Sequence, residues 1–144
     1  MTTTRNLFFI FSLVIINKAV GQLTEYDSVL VSCNKEELRQ KLINFRKGGV
    51  EKKTFQYDID KVIDHARTFI GTKHLIGGKT QSGIDCSGLV YVVHQIAGVQ
   101  LPRSSQEQAR FGKVIYGCNK LQKGDLVFFY NSYQTTNFIT HVGI

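Results

Sequence analysis

The sequence has 144 residues and a formal net charge of +7, with 42% hydrophobic and 20% charged residues. This length allows one modest domain with its own core, and this composition excludes a wholly disordered chain. The basic charge either suits an anionic partner, such as a bacterial wall, or marks a solvated surface, and we expect no nucleic-acid partner because no nucleic-acid motif is present.

The chain begins with the pattern of a secretory signal peptide. Residues 7–16 are apolar except for one serine, Arg5 precedes them, and residues 19–21 are small. We therefore predict a signal peptide over residues 1–21 and a secreted, extracellular protein. The alternative is a membrane anchor, but a bilayer core requires about 20 apolar residues, so no stable membrane anchor is expected.

Residues 22–55 are expected to form a short N-terminal helical segment. A helix is predicted over residues 34–45, where Asn34 begins a capping-box pattern. Residues 46–56 are basic and contain glycines, which is typical of a connector. The segment is too short for an independent binding domain, so residues 56–144 are predicted to be the main domain.

Two helices open the main domain. The first is predicted over residues 58–70, with apolar residues at helical spacing and Asp58 as its cap. A glycine-rich loop follows at residues 72–84, and the second helix is predicted from Cys86 to residue 97. Its apolar stripe, which shares a face with the thiol, comprises Leu89, Val93, Ile96 and Ala97. The thiol is therefore expected at a helix N-terminus, facing the body of the protein.

Shorter elements follow. We predict a short helix over residues 104–111, a buried strand over 126–130 and a second strand over 138–144. Side chains alternate along a strand, so Ile139 and His141 are expected to share one face of the second strand. Helices followed by antiparallel strands indicate an α+β fold.

Cys86 is the candidate nucleophile. A thiol attacks as the thiolate, which the N–H groups and dipole of a helix N-terminus stabilise, and the same N–H groups can hold an oxyanion. Gly88 leaves a bare backbone that a substrate can approach. On periodicity alone, however, an inert buried cysteine is the stronger interpretation.

Four short motifs follow one another in the second part of the chain. They are Asp85-Cys86-Ser87-Gly88-Leu89-Val90, Leu101-Pro102-Arg103-Ser104-Ser105 with Gln106 and Gln108, Gly124-Asp125-Leu126-Val127-Phe128-Phe129, and His141-Val142-Gly143-Ile144. Gly71-Thr72 and Gly77-Gly78 precede them. In this order, across about residues 58–144, they resemble the motifs of the NlpC/P60 cysteine peptidases.

The resemblance implies a papain-like core in which the cysteine helix packs on an antiparallel sheet. It implies that Cys86 attacks the substrate and that His141 takes the thiol proton. It also implies hydrolysis of peptide bonds in bacterial peptidoglycan stem peptides, usually between γ-linked D-glutamate and a diamino acid. No metal or organic cofactor is expected, and we expect a monomer.

Five residues near the cysteine are candidates for substrate-binding or supporting roles. Asp85 is expected to cap the cysteine helix, and Ser87 either positions the substrate or has a capping or packing role. Arg103, Ser104 and Ser105 either contact the anionic stem peptide, or Ser104 or Ser105 caps the helix that follows.

The other histidines differ in interest. His74 stands where the family usually has a tyrosine and Ile76 where it usually has a tryptophan, so the imidazole either substitutes as a donor or marks a degraded position. His65 is expected at the surface or core edge. His94 lies about 12 Å of helical rise beyond Cys86, out of hydrogen-bond reach.

An odd number of cysteines in an oxidising compartment leaves one disulfide and one free thiol, or no disulfide. A Cys33–Cys118 disulfide with Cys86 free fits a thiol enzyme, and the other arrangement stays open.

The family has a further polar residue, which orients the histidine, on the strand after the histidine strand. The sequence ends at Ile144, so we expect the natural chain to continue beyond it and the enzyme to be incomplete without that continuation. One alternative is a truncated, non-catalytic relic that binds cell wall. Another is an acyltransferase or amidase with the same thiol–imidazole pair.

Overall fold

The computed structural model describes residues 10–12, 36–47, 57–115, 118–130 and 132–144. Within these ranges the helices are α1 (Glu36–Arg46), α2 (Ile59–Arg67), α3 (Cys86–Ile96) and α4 (Ser105–Gln108). Each lies where the sequence predicts a helix, but α2 and α4 end three residues earlier than expected. A 3₁₀ turn spans Cys118–Lys120.

The described strands form two sheets. They are β1 (Ile10–Ser12), β2 (Lys79–Thr80), β3 (Gly83–Ile84), β4 (Lys113–Val114), β5 (Leu126–Phe129) and β6 (His141–Gly143). The larger sheet has the order β4-β1-β5-β6, and β2 and β3 form a separate hairpin. The fold is α+β, as predicted.

The β5–β6 pair, which carries His141, is antiparallel as expected, and the larger sheet also contains parallel pairs. β1 pairs in parallel with both β4 and β5, and only β5 and β6 are antiparallel. β1 lies inside residues 1–21, where the signal peptide is predicted. That signal peptide stays a prediction.

The N-terminal segment packs on the main domain through α1. Leu42 is buried, and the Phe45 ring lies 5.1 Å from the Phe138 ring, centroid to centroid. The guanidinium carbon of Arg110 stands 4.9 Å from the centroid of the Phe45 ring. Phe45 is therefore an aromatic contact between α1 and the region just ahead of β6.

The start of α2 follows the predicted cap. The Asp58 carboxylate accepts hydrogen bonds from the N–H groups of Asp60 and Lys61, at 3.0 and 3.3 Å. The helix ends at Arg67 because the chain turns there, and residues 68–71 follow in turn conformation up to Gly71, which has φ +86°. Ile70 is consequently 82% exposed and does not extend the apolar face.

The buried face of α3 differs from the predicted stripe. Val90, Val93 and His94 are buried, whereas Ile96 is 58% exposed. α3 packs against both α2 and β6, so the helix buries a face that the pattern of apolar letters alone does not select. A histidine completes that face.

The second predicted strand is shorter than residues 138–144, because only His141–Gly143 pairs with β5. Ile139 is 1% exposed and belongs to the same core cluster as Val142. The expectation that Ile139 and His141 share a face is therefore wrong, since residues 138–140 precede the ladder and do not alternate as a strand does.

The core lies between α3 and the β5–β6 hairpin. The members of this cluster are Val90, Val99, Leu101, Ala109, Leu126, Phe128, Ile139 and Val142. Gly124 leads into β5 with φ +90°, and a Cβ there would stand 2.1 Å from Ile59 Cδ1. Among the described residues, no helix combines the length and apolar character that crossing a bilayer requires.

Replacing Phe128 with alanine tests this core. The side chain is fully buried on β5, so its loss leaves a cavity and should lower the free energy of unfolding by about 3–5 kcal/mol. Urea denaturation followed by circular dichroism measures the change. The matched control is Tyr133→Ala, which removes a ring that is 58% exposed and should change stability by less than about 0.5 kcal/mol. Equal effects of the two variants would contradict this description of the core.

Candidate functional site

Cys86 is the first residue of α3 and follows directly on the helix cap. Asp85 is the N-cap, with an extended backbone and a side chain that accepts a hydrogen bond from the Gly88 N–H. The cysteine is a free thiol, partly buried, and packs against the core cluster. The structure therefore places the thiol where the sequence predicts it, at a capped helix N-terminus.

The Asp85 carboxylate joins three segments of the chain. It accepts hydrogen bonds from the N–H groups of Gly88 and Gly77, both at 2.6 Å. It also accepts from both terminal nitrogens of Arg103, at 2.8 and 2.7 Å. The glycine-rich loop, the start of α3 and the segment before α4 thus meet at one anion.

This environment sets the pKa of Asp85. Burial alone would raise it, but the hydrogen bonds from Arg103, Gly88 and Gly77, together with the Arg103 charge, outweigh burial and lower the pKa to about 2. The carboxylate is therefore ionised throughout the neutral range.

The donors of Arg103 are directed into the protein. Besides the Asp85 pair, Nη1 donates to the Ser87 hydroxyl at 2.9 Å and Nη2 to the Gly78 carbonyl at 3.1 Å. Ser87 is buried and also donates to Asp85 at 3.3 Å. Both residues are thus engaged in holding the cysteine loop, and any contact that they make to substrate stays a prediction.

The space beside the Gly88 backbone is occupied by other residues of the protein. A Cβ at this position would stand 2.3 Å from the Gly78 carbonyl oxygen and 2.9 Å from Asp85 Oδ1. Gly88 is buried, and its N–H is already used by Asp85. This corrects the expectation that the glycine leaves room for a substrate, because that room is filled by the glycine-rich loop.

Ser104 caps α4, as one of the two sequence interpretations predicts, since its hydroxyl accepts from the Glu107 N–H at 3.2 Å. Ser105 is the first residue of that helix. Sequence reasoning missed the role of Gln108, which is fully buried and donates to the carbonyls of Ser87 and Pro102 at 3.0 and 2.9 Å. Its place in the motif was visible, but only the fold shows that it ties α4 to the cysteine loop.

His141 is the first residue of β6 and stands opposite Phe129 in the β5–β6 register. Its ring lies 5.3 Å from the Phe129 ring, and its side chain remains open to solvent. Partial burial, followed by the charge of His74, lowers the pKa of His141 below its usual 6.5. Because α3 packs on β6, the elements that begin with Cys86 and with His141 are neighbours.

His74 lies beside the cysteine loop through backbone pairing. It forms an isolated parallel bridge with Ile84, flanked by hydrogen bonds from Leu75 N–H to the Ile84 carbonyl and from Ile84 N–H to the Lys73 carbonyl. Its side chain is exposed, and its charge reaches His141. The neighbouring Ile76 is 88% exposed. The structure therefore pairs His74 with the strand that leads into Cys86 and places it within electrostatic reach of His141.

The remaining histidines take structural positions. His94 is buried, its Nδ1 donates to the Val90 carbonyl at 2.8 Å, and burial lowers its pKa to about 4 in spite of that bond. The His65 ring packs edge-on against Phe69 at 5.5 Å. Neither is placed to act as the base, in agreement with the sequence interpretation.

Two expectations concern ligands and cross-links. In the part of the chain that the structure describes, no group of three or more His, Cys, Asp or Glu side chains is arranged to hold a metal ion. Cys33 and the side chain of Cys118 lie outside the described residues, so their disulfide stays a prediction.

A sequence model described as the NlpC/P60 family matches residues 71–144. Three curated relatives each match part of the chain. A gamma-DL-glutamyl hydrolase of Bacillus subtilis is 44% identical over 85 residues, covering 58% of this chain and 20% of its own length. A gamma-D-glutamyl-L-lysine dipeptidyl-peptidase of Bacillus cereus is 37% identical over 70 residues, covering 49% and 21%. A murein DD-endopeptidase/murein LD-carboxypeptidase of Escherichia coli is 40% identical over 70 residues, covering 48% and 37%.

Solved structures agree with these relatives. A NLP/P60 family protein of Staphylococcus aureus superimposes with a TM-score of 0.57 at 28% identity, covering 82% of this chain and 36% of its own. A NlpC/P60 family protein of Bacillus cereus gives 0.51 at 33% identity, covering 58% and 27%. The chain spans well under half the length of each of these relatives and structures.

Substituting Asp85 with asparagine tests the junction at this carboxylate. The charge on Arg103 loses its partner, and the free energy of unfolding at neutral pH should fall by about 1–3 kcal/mol. In the unsubstituted protein this stabilisation is present above the unfolded-state pKa of about 3.9 and is lost as the pH falls through about 2. The asparagine variant should lack this part of the acid sensitivity. Urea titrations at several pH values measure both effects.

The control is Asp64→Asn, which breaks an exposed pair with Arg67 whose side chains are 70% and 66% accessible. This change should cost less than about 1 kcal/mol. A loss at Asp64 as large as that at Asp85 would show that the junction contributes nothing beyond a surface ion pair.

Proposed function

The chain belongs to the NlpC/P60 family, and on that premise we propose that it is a cysteine peptidase that hydrolyses peptide bonds in the stem peptides of bacterial peptidoglycan. Cys86 is the proposed nucleophile and His141 the proposed base. The observation that carries the proposal is the packing of α3, which begins at Cys86, on β6, which begins at His141.

The names of the relatives support this substrate class. One relative is a gamma-DL-glutamyl hydrolase, a second a gamma-D-glutamyl-L-lysine dipeptidyl-peptidase and a third a murein endopeptidase. Bonds to γ-linked glutamate recur in two of these names, so we infer a γ-glutamyl bond to a diamino acid as the preferred target. The anionic substrate is compatible with the net charge of +7.

In the proposed first step, His141 takes the thiol proton and the Cys86 sulfur attacks the carbonyl carbon of the scissile bond. The carbon–sulfur bond forms, and the carbonyl oxygen becomes an oxyanion. Because the Gly88 N–H is held by Asp85, the remaining donors at the start of α3 are the N–H groups of Cys86 and Ser87. We infer that they stabilise the oxyanion.

In the second step, the oxyanion collapses, the carbon–nitrogen bond breaks and the His141 imidazolium gives its proton to the departing amine. A water molecule then attacks the thioester while His141 takes its proton, and the carbon–sulfur bond breaks to release the acid and regenerate Cys86. A His141 pKa below the usual range keeps the imidazole neutral and ready to accept a proton in weakly acidic solution.

The place of action is also a proposal. The apolar run at residues 7–16 supports a cleaved signal peptide and an extracellular enzyme, which reaches wall fragments without a membrane anchor. We propose that it acts there as a monomer.

The relic alternative is favoured by one feature, the pair of residues His74 and Ile76 where the family usually has a tyrosine and a tryptophan. Labelling with iodoacetamide separates the two functions. An enzyme should alkylate at Cys86 at neutral pH faster than a free cysteine does, whereas a wall-binding relic should react no faster.

Replacing Cys86 with alanine tests the nucleophile. Release of free amino groups from purified peptidoglycan should fall by several orders of magnitude, because the proposed thioester forms on the Cys86 sulfur. The protein tested should carry its full natural C-terminus. Equal release by the alanine variant, or no release by the unsubstituted protein, would contradict the proposal.

The pH profile tests the base. The acidic limb of kcat/KM should lie below pH 6.5, because burial and the charge of His74 keep His141 unprotonated. In His74→Gln the second cause is removed, so the limb should move towards 6.5 while the burial effect remains. His65→Gln is the matched control and should leave the limb in place. An unmoved limb in His74→Gln would show that the two histidines do not interact.

A further inference from the structure

The position of His141 depends on the loop ahead of it. In the β5–β6 ladder, His141 is the first paired residue of β6. Before it, the Thr140 N–H still donates to the Phe129 carbonyl at 2.8 Å, but residues 138–140 form no strand. The end of a ladder is held by pairing on one side only. The position of the His141 ring therefore depends on how firmly the residues before it are held.

Gln106 holds that loop from the side of α4. Its Oε1 accepts a hydrogen bond from the Ile139 N–H at 2.8 Å, and its Nε2 donates to Asn137 Oδ1 at 3.2 Å. The Ile139 side chain is 1% exposed, so the clamped residue is anchored in the core as well. Gln106 thus takes the place of a ladder partner two residues before His141.

The same short stretch reaches the nucleophile. We name residues 103–108 the bridging segment. At its first residue, Arg103 binds Asp85 and the Ser87 hydroxyl, and at its last residue, Gln108 binds the Ser87 carbonyl at 3.0 Å. Gln106 lies between these two residues and binds the loop before His141.

We propose that the bridging segment fixes the spacing between the Cys86 thiol and the His141 ring, and that Gln106 is the positioning residue for His141. The proposal rests on the proposed function, because the spacing matters to a thiol–imidazole pair. The two hydrogen bonds described for the Gln106 side chain go to Ile139 and Asn137, so it acts on His141 through the chain that precedes it.

The surroundings of the Gln106 side chain indicate that it affects the position of His141 more than the stability of the fold. Gln106 is only partly buried and sits at the surface of a four-residue helix, so the core does not depend on its side chain. A misplacement of about 1 Å in a reacting group can reduce the rate about a hundredfold. Loss of Gln106 should therefore affect turnover far more than it affects unfolding.

Three variants test the proposal. Gln106→Leu removes both hydrogen bonds, Gln106→Glu keeps an acceptor for the Ile139 N–H, and Gln95→Leu makes the same change at an exposed position of α3. In the leucine variant at 106, kcat should fall about tenfold or more while KM changes less than about twofold. The glutamate variant should recover most of kcat, and Gln95→Leu should match the unsubstituted protein. Thermal unfolding checks that all three fold.

A second measurement does not depend on hydrolysis. In Gln106→Leu, hydrogen exchange at the Ile139 amide should accelerate and the ring signals of His141 should broaden or shift in NMR spectra, with no such change in Gln95→Leu. Unchanged ring signals together with unchanged kcat would overturn the proposal, as would a glutamate variant as impaired as the leucine variant. If the unsubstituted protein and Cys86→Ala are equally inactive, the proposed function fails, and the ring signals still decide whether Gln106 positions His141.

Discussion

The carboxylate of Asp85 is the point at which the chain segments around the thiol meet. It receives backbone N–H groups from the glycine-rich loop and from the first turn of α3, and a two-pronged ion pair from Arg103. These partners come from positions 77, 88 and 103, which nothing but the fold brings together. An ionised carboxylate with four short hydrogen bonds is one of the stronger interactions available to a small domain. The carboxylate of Asp85 therefore fixes the position of the thiol on the next residue.

The N–H groups at the start of α3 differ in their partners, because one is bound by the helix cap and others are left for further partners. The first turn of any helix offers several unpaired donors, and here the cap takes the third of them, at Gly88. The donors of Cys86 and Ser87 remain for other partners. Arg103 cancels the charge of Asp85, so the negative carboxylate does not oppose a thiolate that develops beside it.

Local sequence patterns predict much of this site. Asp58, Asp85 and Ser104 act within three residues of their own helices, which is why their capping roles are visible in the sequence. The site motifs likewise point to Cys86 and His141. Helix boundaries agree to within a few residues because caps and glycines mark them.

What the sequence does not show depends on distant contacts. The donors of Arg103 are committed to groups 16 to 25 residues away, and the Gln106 clamp spans 33 residues. Period-2 alternation placed Ile139 beside His141, but the ladder starts too late for that rule to apply. The face that α3 buries includes His94, since tertiary packing selects the face and hydropathy does not.

The contact between Gly78 and Gly88 limits how the site can change in evolution. A Cβ on Gly78 would stand 2.3 Å from the Gly83 carbonyl oxygen, and one on Gly88 would stand 2.3 Å from the Gly78 carbonyl oxygen. Two backbones packed this closely cannot acquire side chains one at a time, so substitutions there would have to arrive together with a new loop path. The side chain of Ile76, which is 88% exposed, meets no such restriction. Single substitutions that keep the present loop path are therefore confined to its outer side.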